Sequence, residues 1–324
     1  MTDLNRREFI HRSVKAGLVS AGALGAGWWL HDTRPPALEP LPQSLPGIPD
    51  FSGALVEGPA MAIAKGTDRM DMADRALEAL GGIRRFVSPG HRVVIKVNAA
   101  FASPPAICAT SHPDLVTAVV TACRAAGASD VVVTDNPIND PASCFRLTGI
   151  GPAAEAAGGR VVLPTADQFS RVTLSGARLI RDWPVLIGPL ADADCLIGLA
   201  PLKDHHRSGA SMTIKNWYGL LGGRRNVFHQ DIHTIITELA ALVRPTLVIL
   251  DAVTAMIHNG PTGGSISDLT RTNTLVAGVD QLAVDAMGAE LLGRDLSQLP
   301  HLRQSADAGL GVLDYHTLNP VAVP

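Results

Sequence analysis

The segment comprising residues 203–216 holds the densest group of chemically active side chains in the sequence. Within these 14 residues lie Lys203, His205, His206, Arg207, Thr213, Lys215 and Asn216. An imidazole such as His205 is suited to general acid–base catalysis or to metal ligation. A lysine such as Lys215 can fix an anion or form a covalent link to a carbonyl group. A solvated loop would also explain the charges, but we predict a functional role, with His205 and Lys215 as catalytic candidates.

Polar side chains also follow three other apolar runs of the sequence. Asn98 and a loop containing His112 follow residues 93–97, Asp135 follows residues 131–134, and Asp251 follows residues 247–250. In open α/β sheets, ligands bind beyond the carboxyl ends of the strands. We therefore expect these groups to share one pocket, with His112 as the third catalytic candidate. The candidates for cofactor binding are Lys96, Asn98, Lys203, Asn216 and Asp251.

Lys96 and residues 222–225 have two interpretations each, and Asp285 has one. Lys96 lies inside an apolar run, so it is either the structural partner of a carboxylate such as Asp135 or a ligand-binding cation. Residues 222–225 read Gly-Gly-Arg-Arg, which suits either an anion-binding turn or a mobile basic loop. Asp285 is interpreted as the partner of a neighbouring cation.

A metal site is predicted around a histidine pair. His229 and His233 are four residues apart with Asp231 between them, a spacing that would place both imidazoles on one helix face. Together with His205 they form the candidate set of metal ligands. The glutamate that a zinc protease needs beside its first histidine is absent, so that reaction is excluded. The alternative is a solvated helix start.

Short apolar runs alternate with helical patterns along the chain. The predicted strands are residues 61–64, 93–97, 131–134, 161–163, 195–199, 247–250 and 274–277. Helices are expected from Asp68 to Leu80, from Asp114 to Ala126, over residues 231–243 and from Asp280 to Leu292. The strands are rich in Val, Ile and Leu, as strands buried on both faces are. We predict an α/β fold with a mainly parallel, doubly wound, Rossmann-like sheet, helices on both faces and a small antiparallel insertion at residues 168–187.

The amino terminus resembles a twin-arginine export signal. Arg6 and Arg7 precede an acidic and two apolar residues, and an uncharged stretch of about 15 residues ends at Leu30, short of the roughly 20 that span a bilayer. We predict that residues 1–30 are read by the twin-arginine translocase and that the protein is periplasmic or otherwise exported. Trp28 and Trp29 would hold an uncleaved segment at the membrane, so residues 16–30 are also a candidate anchor. The alternative is a buried amphipathic helix.

The remaining chain divides into a tether and one domain. Residues 31–53 contain six prolines and are expected to be an extended tether, which leaves residues 54–324 as a single α/β domain. The whole chain is 46% hydrophobic and 18% charged with a net charge of −3, which fits a globular protein and argues against a nucleic-acid partner. Of the four cysteines, Cys108 and Cys144 lie in predicted loops. A disulfide between these two residues, or ligation of one group by both, is compatible with the sequence.

Several of these segments resemble the family called Domain of Unknown Function 362. The matching motifs, in order, are residues 93–98 with 111–113, 203–205, 214–219, 231–233, 250–251 with 259–261, and 280 with 284–285. The resemblance runs from about residue 60 to 295 and implies an uncharacterised α/β family. Some of its members are fused to iron–sulfur modules and some carry twin-arginine signals. This chain lacks ferredoxin cysteines.

A weaker resemblance is to the amino-terminal domain of nickel-pincer lactate racemases. In those enzymes a catalytic histidine precedes a cofactor-bearing lysine, as His205 precedes Lys215 here, and His112 lies where another catalytic histidine would fall. The resemblance implies a similar layout of the site.

Three functions are compatible with these observations. The first is an exported enzyme that uses a bound metal or organometallic cofactor on a small anionic substrate. The second is a periplasmic protein that binds a small anion without turnover, and the third is a redox or assembly accessory. The sequence reveals neither the reaction nor the metal.

Overall fold

The structure is a computed structural model that describes residues 6–30, 48–52 and 57–324. The chain divides into two compact units, residues 1–44 and 45–324. Most of the predicted tether lies outside the described residues. Its last described part belongs to the second unit, where Phe51 is buried and its N–H donates to the carbonyl of Arg244 at 2.9 Å.

The first unit contains one described helix, α1 (Arg6–Leu30). It spans Arg6, Arg7 and the apolar stretch. Its described side chains from Arg7 to Ala23 are exposed. No helix among the described residues combines the length and apolarity needed to cross a membrane.

The second unit is an α/β domain. Its strands are β1 (Met61–Lys65), β2 (Arg92–Lys96), β3 (Asp130–Thr134), β4 (Arg160–Val162), β5 (Phe169–Val172), β6 (Trp183–Leu186), β7 (Cys195–His205), β8 (Gly209–Ser211), β9 (Leu247–Met256), β10 (Leu269–Gly278) and β11 (Val321–Val323). Its helices are α2 (Arg69–Ala79), α3 (Pro113–Ala125), α4 (Pro141–Leu147), α5 (Ile150–Ala156), α6 (Thr213–Asn216), α7 (Ile232–Leu242), α8 (Gln281–Leu291) and α9 (Pro300–Asp307). Every strand and helix predicted from the sequence is present.

Within the described residues, the main sheet has nine strands. Eight run in the order β11-β1-β10-β9-β7-β2-β3-β4, and β8 pairs with β7 outside this row. The run from β9 through β7, β2 and β3 to β4 is parallel, and β11 is parallel to β1. Strands β5 and β6 form the separate antiparallel pair predicted at residues 168–187. The mainly parallel sheet and the small insertion are thus confirmed.

Strand β10 is an antiparallel member of the mainly parallel sheet, because it runs antiparallel to both β9 and β1. The connection from β9 to β10, residues 257–268, contains the 3-10 turn Ile266–Asp268 but no α-helix. A parallel return usually requires a crossover helix. The pairing also extends β9 to Met256, well beyond the predicted end at residue 250.

Helices cover both faces of the sheet, as predicted, and each face has its own core. On one face, α2, α3 and α5 pack on residues such as Val93 and Ile249. On the other, α7, α8 and α9 pack on alternate residues such as Val94 and Leu250. Successive side chains of a strand point to opposite faces, which explains how neighbouring residues enter different cores.

Trp217 anchors the segment after α6 to the centre of the sheet. Its indole is fully buried and donates to Gln281 Oε1 at 2.7 Å. The ring lies over Gly198 of β7, where an added Cβ would approach Trp217 Cη2 to 2.7 Å. A glycine is therefore required at this point for the indole to reach the sheet.

We predict that Gly198→Ala lowers the free energy of unfolding by about 2 kcal/mol, because the new methyl overpacks the space of the indole. Gly264→Ala is the matched control, since a Cβ at Gly264 meets no atom within 4 Å. Urea unfolding of both variants measures the difference. Equal stability of the two variants would contradict this account of Trp217.

Candidate functional site

A cavity of about 210 Å³ lies where β2, β3 and β7 end. Three of the five lysines in the chain line it. Its chemically active lining residues are Lys96, Asn98, Asp135, Asn136, Lys203, His205, His206, Lys215, Asn216, Tyr218, Arg225 and His229. Asp135 is the only carboxylate among the lining residues, against four cations. The cavity is therefore deficient in negative charge.

Lys96 and Asp135 form a buried ion pair. Their side chains are 1% and 2% exposed, and Lys96 Nζ lies 2.7 Å from Asp135 Oδ1. The ammonium also donates to the backbone carbonyl of Asn216 at 2.6 Å and to its side-chain oxygen at 3.0 Å. Burial lowers the pKa of Lys96, and Asp135 opposes that shift. These three acceptors occupy the three N–H bonds of Lys96. Of its two interpretations, structural partner of a carboxylate or ligand-binding cation, Lys96 therefore fits the first.

Lys203 and Lys215 differ from Lys96 because no carboxylate pairs with them. Lys203 Nζ donates to the carbonyl of Ala109, which leaves two of its N–H bonds. Burial, followed by repulsion from Lys215, lowers the pKa of Lys203 to about 7. Burial and the charges of Arg225 and Lys96 lower the pKa of Lys215 to about 7.

The amine of Lys215 makes no hydrogen bond within the part of the chain that the structure describes. Its Nζ lies 5.2 Å from the centroid of the Tyr218 ring. Lys215 is half-buried, and an ammonium that is partly removed from water without an acceptor is costly, so the neutral amine is more favoured here than in an exposed lysine. At neutral pH, Lys215 is thus both a base and, once protonated, a hydrogen-bond donor to a ligand.

Asp285 fixes the position of α6, which carries Lys215. Its carboxylate accepts from the N–H of Thr213 at 2.8 Å, from the Thr213 hydroxyl at 2.5 Å and from the N–H of Ile214 at 3.1 Å. The expectation of an ion pair for Asp285 is therefore wrong: the carboxylate satisfies the first donors of a short helix, as a cap does. Burial nevertheless raises the pKa of Asp285 to about 7.

His205 is a neutral hydrogen-bond donor in this site. Its Nδ1 accepts from the backbone N–H groups of Arg207 at 3.2 Å and Ser208 at 3.3 Å, so the ring proton of the neutral imidazole lies on Nε2. Burial, with Lys215 and Lys203 adding repulsion, holds the pKa of His205 far below its ordinary value. Of the two predicted roles of His205, metal ligation does not fit this geometry. Ligation through Nε2 would need the proton on Nδ1, where two amides already donate.

The predicted metal ligands do not converge. His229 lies in the 3-10 segment Arg225–Asp231, before α7, so it does not share a helix face with His233. His229 instead bonds Tyr218, whereas His233 faces His301 with 3.0 Å between their Nδ1 atoms, and Asp231 pairs with Arg178. Only His229 approaches His205, with 5.9 Å between ring centroids. Among the described residues, no three metal-ligating side chains form a cluster.

His112 and Asp251 lie outside the lysine cavity. His112 lines a separate cavity that also contains Cys108 and Arg69, and its Nδ1 accepts from the N–H of Asp114 as the cap of α3. Asp251 pairs with Arg69 at 2.7 Å. The expected common pocket is therefore wrong for these two residues. The longer β9 leaves Asp251 inside a strand, with its side chain on the face of α2 rather than at the sheet edge.

The other predicted residues line the cavity, and some of them also hold its wall together through hydrogen bonds. Asn98 lines the cavity, and Asn216 donates from its side chain to the carbonyl of Leu199 at 3.0 Å while it accepts from Lys96. Arg225 donates to four backbone carbonyls, of Tyr218, Gly219, Leu221 and Asn136. The Gly-Gly-Arg-Arg segment is thus a fixed turn at Arg225. All four cysteines are free.

Tyr218 and His206 line the cavity but are not among the individual site residues predicted from the sequence. Both lie in segments that the sequence marks, since Tyr218 belongs to the motif that contains Lys215 and His206 belongs to the dense group of residues 203–216. Neither could be distinguished from a packing residue without knowledge of where the cavity opens.

Comparisons with known proteins identify the family. A family model described as Domain of unknown function (DUF362) matches residues 93–290, and the chain belongs to this family. A thylakoid-associated protein from Synechocystis sp. is 26% identical over 264 residues, which are 76% of this chain and 77% of that protein.

A solved structure, the lactate racemase apoprotein from Thermoanaerobacterium thermosaccharolyticum, is also similar. The TM-score is 0.41 at 15% identity, and the match covers 78% of this chain and 59% of that chain. The chain thus spans less than two thirds of the enzyme. A likeness of this size assigns no role to any residue here.

Proposed function

We propose that this DUF362 protein is an enzyme that binds a small anion in the lysine cavity and transfers a proton to or from it. The observation that carries the proposal is the amine of Lys215, which faces the cavity beside Lys203 with no hydrogen-bond acceptor among the described residues. A ligand oxygen with negative charge would supply the missing acceptor and relieve the repulsion between the two lysines.

The cations of the cavity divide into two groups. Lys96 and Arg225 donate to protein oxygens, so they contribute charge and rigidity rather than direct contacts. Lys203 and Lys215 retain N–H bonds for a ligand. An anion would therefore sit between these two amines, in the field of the other two cations.

The proposed proton transfer uses two residues in different roles. The Nε2–H of neutral His205 is suited to donate a hydrogen bond to an oxygen that gains charge in the reaction. The amine of Lys215 titrates near neutral pH, which suits a general base or acid. His205 is thus the electrostatic partner and Lys215 the group that exchanges the proton.

A second candidate function is supported by the same amine. An uncharged lysine near neutral pH is a nucleophile that can carry a carbonyl-containing cofactor, and Lys215 is accessible from the cavity. Its neighbours fit such an attachment, because Tyr218 and His229 would line the bound group. A metal-bearing cofactor held there would supply an electron-accepting centre and would bring most of its own ligands, since the histidines do not cluster.

We further propose that the protein is exported folded, with residues 1–30 as the signal for the twin-arginine translocase. The support is the sequence alone: Arg6 and Arg7 precede the uncharged, Gly- and Ala-rich stretch. Folded export permits a cofactor to be attached before translocation.

The anion-binding proposal predicts proton uptake on binding. Isothermal titration with propionate at pH 7.5 in two buffers of different ionisation enthalpy should show about one proton taken up, because the anion favours the ammonium and raises the lysine pKa. Affinity should fall as the pH rises from 7 to 9. Lys215→Met should weaken binding about tenfold or more.

Lys65→Met is the matched control, because Lys65 is an exposed lysine on β1, away from the cavity. Unchanged propionate affinity in Lys215→Met, or binding without proton uptake, would contradict the proposed site.

Export and cofactor attachment can be tested on protein from its native host. We expect the chain in the exported fraction, and we expect the double variant Arg6→Lys with Arg7→Lys to remain in the cytoplasm. Intact mass of the exported form distinguishes the two candidate functions. An added mass on the peptide that contains Lys215 would favour the cofactor-bearing enzyme, and an unmodified Lys215 would rule it out. Export of the double variant at normal yield would contradict the twin-arginine route.

A further inference from the structure

A second cavity opens directly beside the lysine cavity. It has a volume of about 360 Å³. The two cavities share the lining residues Asn136, Ile138, Tyr218, Arg225 and His229. Because five wall residues are common to both, the two spaces adjoin, and a molecule bound at the lysines lies next to the second cavity.

The second cavity differs from the first in its chemistry. The residues that line it alone are Pro137, Phe169, Gly222, Gly223 and Asn226, none of which is charged. Arg225, its one fully ionised lining side chain, has its guanidinium bonded to backbone carbonyls. We call this space the annex. Its wall is mixed: Asn136, Tyr218, Asn226 and His229 supply polar groups, whereas Pro137, Ile138 and Phe169 form an apolar part. Apolar and aromatic side chains of this kind suit contact with a hydrocarbon group.

In the wall of the annex, Gly222 lies directly against the Phe169 ring. A Cβ at Gly222 would come within 2.7 Å of the Phe169 ring, so no side chain can stand there without displacing that ring. The backbone at this point is fixed: Gly222 N–H donates to the carbonyl of Pro184 at 2.8 Å, and its carbonyl accepts from the Trp183 indole at 3.2 Å. Hydrogen bonds therefore fix this part of the wall of the annex.

Ile138 stands at the junction of the two cavities and is 65% exposed. It follows β3 in the loop that also supplies Asn136 to both cavities. An apolar ligand group that covers Ile138 would remove this surface from water, which is favourable.

We infer that the ligand is an elongated organic anion, with its carboxylate between Lys203 and Lys215 and an aryl or short alkyl group that passes Tyr218 into the annex and contacts Ile138 and Phe169. This inference rests on the proposed anion site and specifies its substrate class. It excludes inorganic anions and the smallest carboxylates as the preferred ligands.

The test compares propionate with 3-phenylpropionate, which differ only in the phenyl group. Isothermal titration of the full chain should give an affinity about tenfold higher for 3-phenylpropionate, because the ring is buried in the annex. Ile138→Asp should reduce this ratio to near one, since a carboxylate at the junction opposes an apolar group. Phe169→Ala should also reduce it.

Ile266→Asp is the matched control, because Ile266 is another exposed isoleucine, 77% exposed, and lines only the separate cavity around His112. The ratio of affinities in this variant should equal that of the unmodified protein. If propionate binds and the phenyl group adds nothing, or if Ile138→Asp leaves the ratio unchanged, the elongated ligand is wrong and the anion site stands. If neither compound binds, both proposals fail.

Discussion

The site depends on an imbalance of buried charge. Four cationic side chains surround one cavity and Asp135 is the only carboxylate that lines it. Removing cations from water is unfavourable unless each finds a partner. The protein satisfies Lys96 with Asp135 and Asn216, and Arg225 with backbone carbonyls. Lys203 and Lys215 are left with a lowered pKa, and this residual cost is what an anionic ligand can offset.

The surrounding fold holds Lys215 at this position despite the cost. Asp285 caps the short helix that carries it, Trp217 is seated over Gly198, and Asn216 is tied to Lys96. At Gly219, a Cβ would come within 2.2 Å of Asp135, so the chain passes directly against the ion pair. Glycine permits this close approach because it has no side chain.

Much of the fold could be predicted from the sequence, because buried parallel strands read as unbroken apolar runs. The pairing of Lys96 with Asp135 could be predicted as one of two interpretations, because the two residues lie at the ends of neighbouring strands. Asp251 could not be placed, because the length of β9 depends on its antiparallel partner β10, which is set by long-range pairing. The predicted metal site at His229 and His233 is wrong because His229 lies in a 3-10 segment before α7. The spacing of the two residues in the sequence does not reveal where the 3-10 segment ends and the α-helix begins. The position of the ring proton of His205 depends on two backbone N–H groups in the following turn, and a pattern of residue types does not predict it.

The central claim is that Lys203 and Lys215 share an anion-deficient cavity and titrate near neutral pH. NMR titration of the protein labelled with ¹³C and ¹⁵N at lysine tests it directly, since the chain has only five lysines. The signals that disappear in Lys203→Met and Lys215→Met identify the two residues. We expect both to show a pKa of about 7 and to shift upward when propionate is added. Titration of both at the ordinary lysine value of about 10.4, with no response to the anion, would contradict the account.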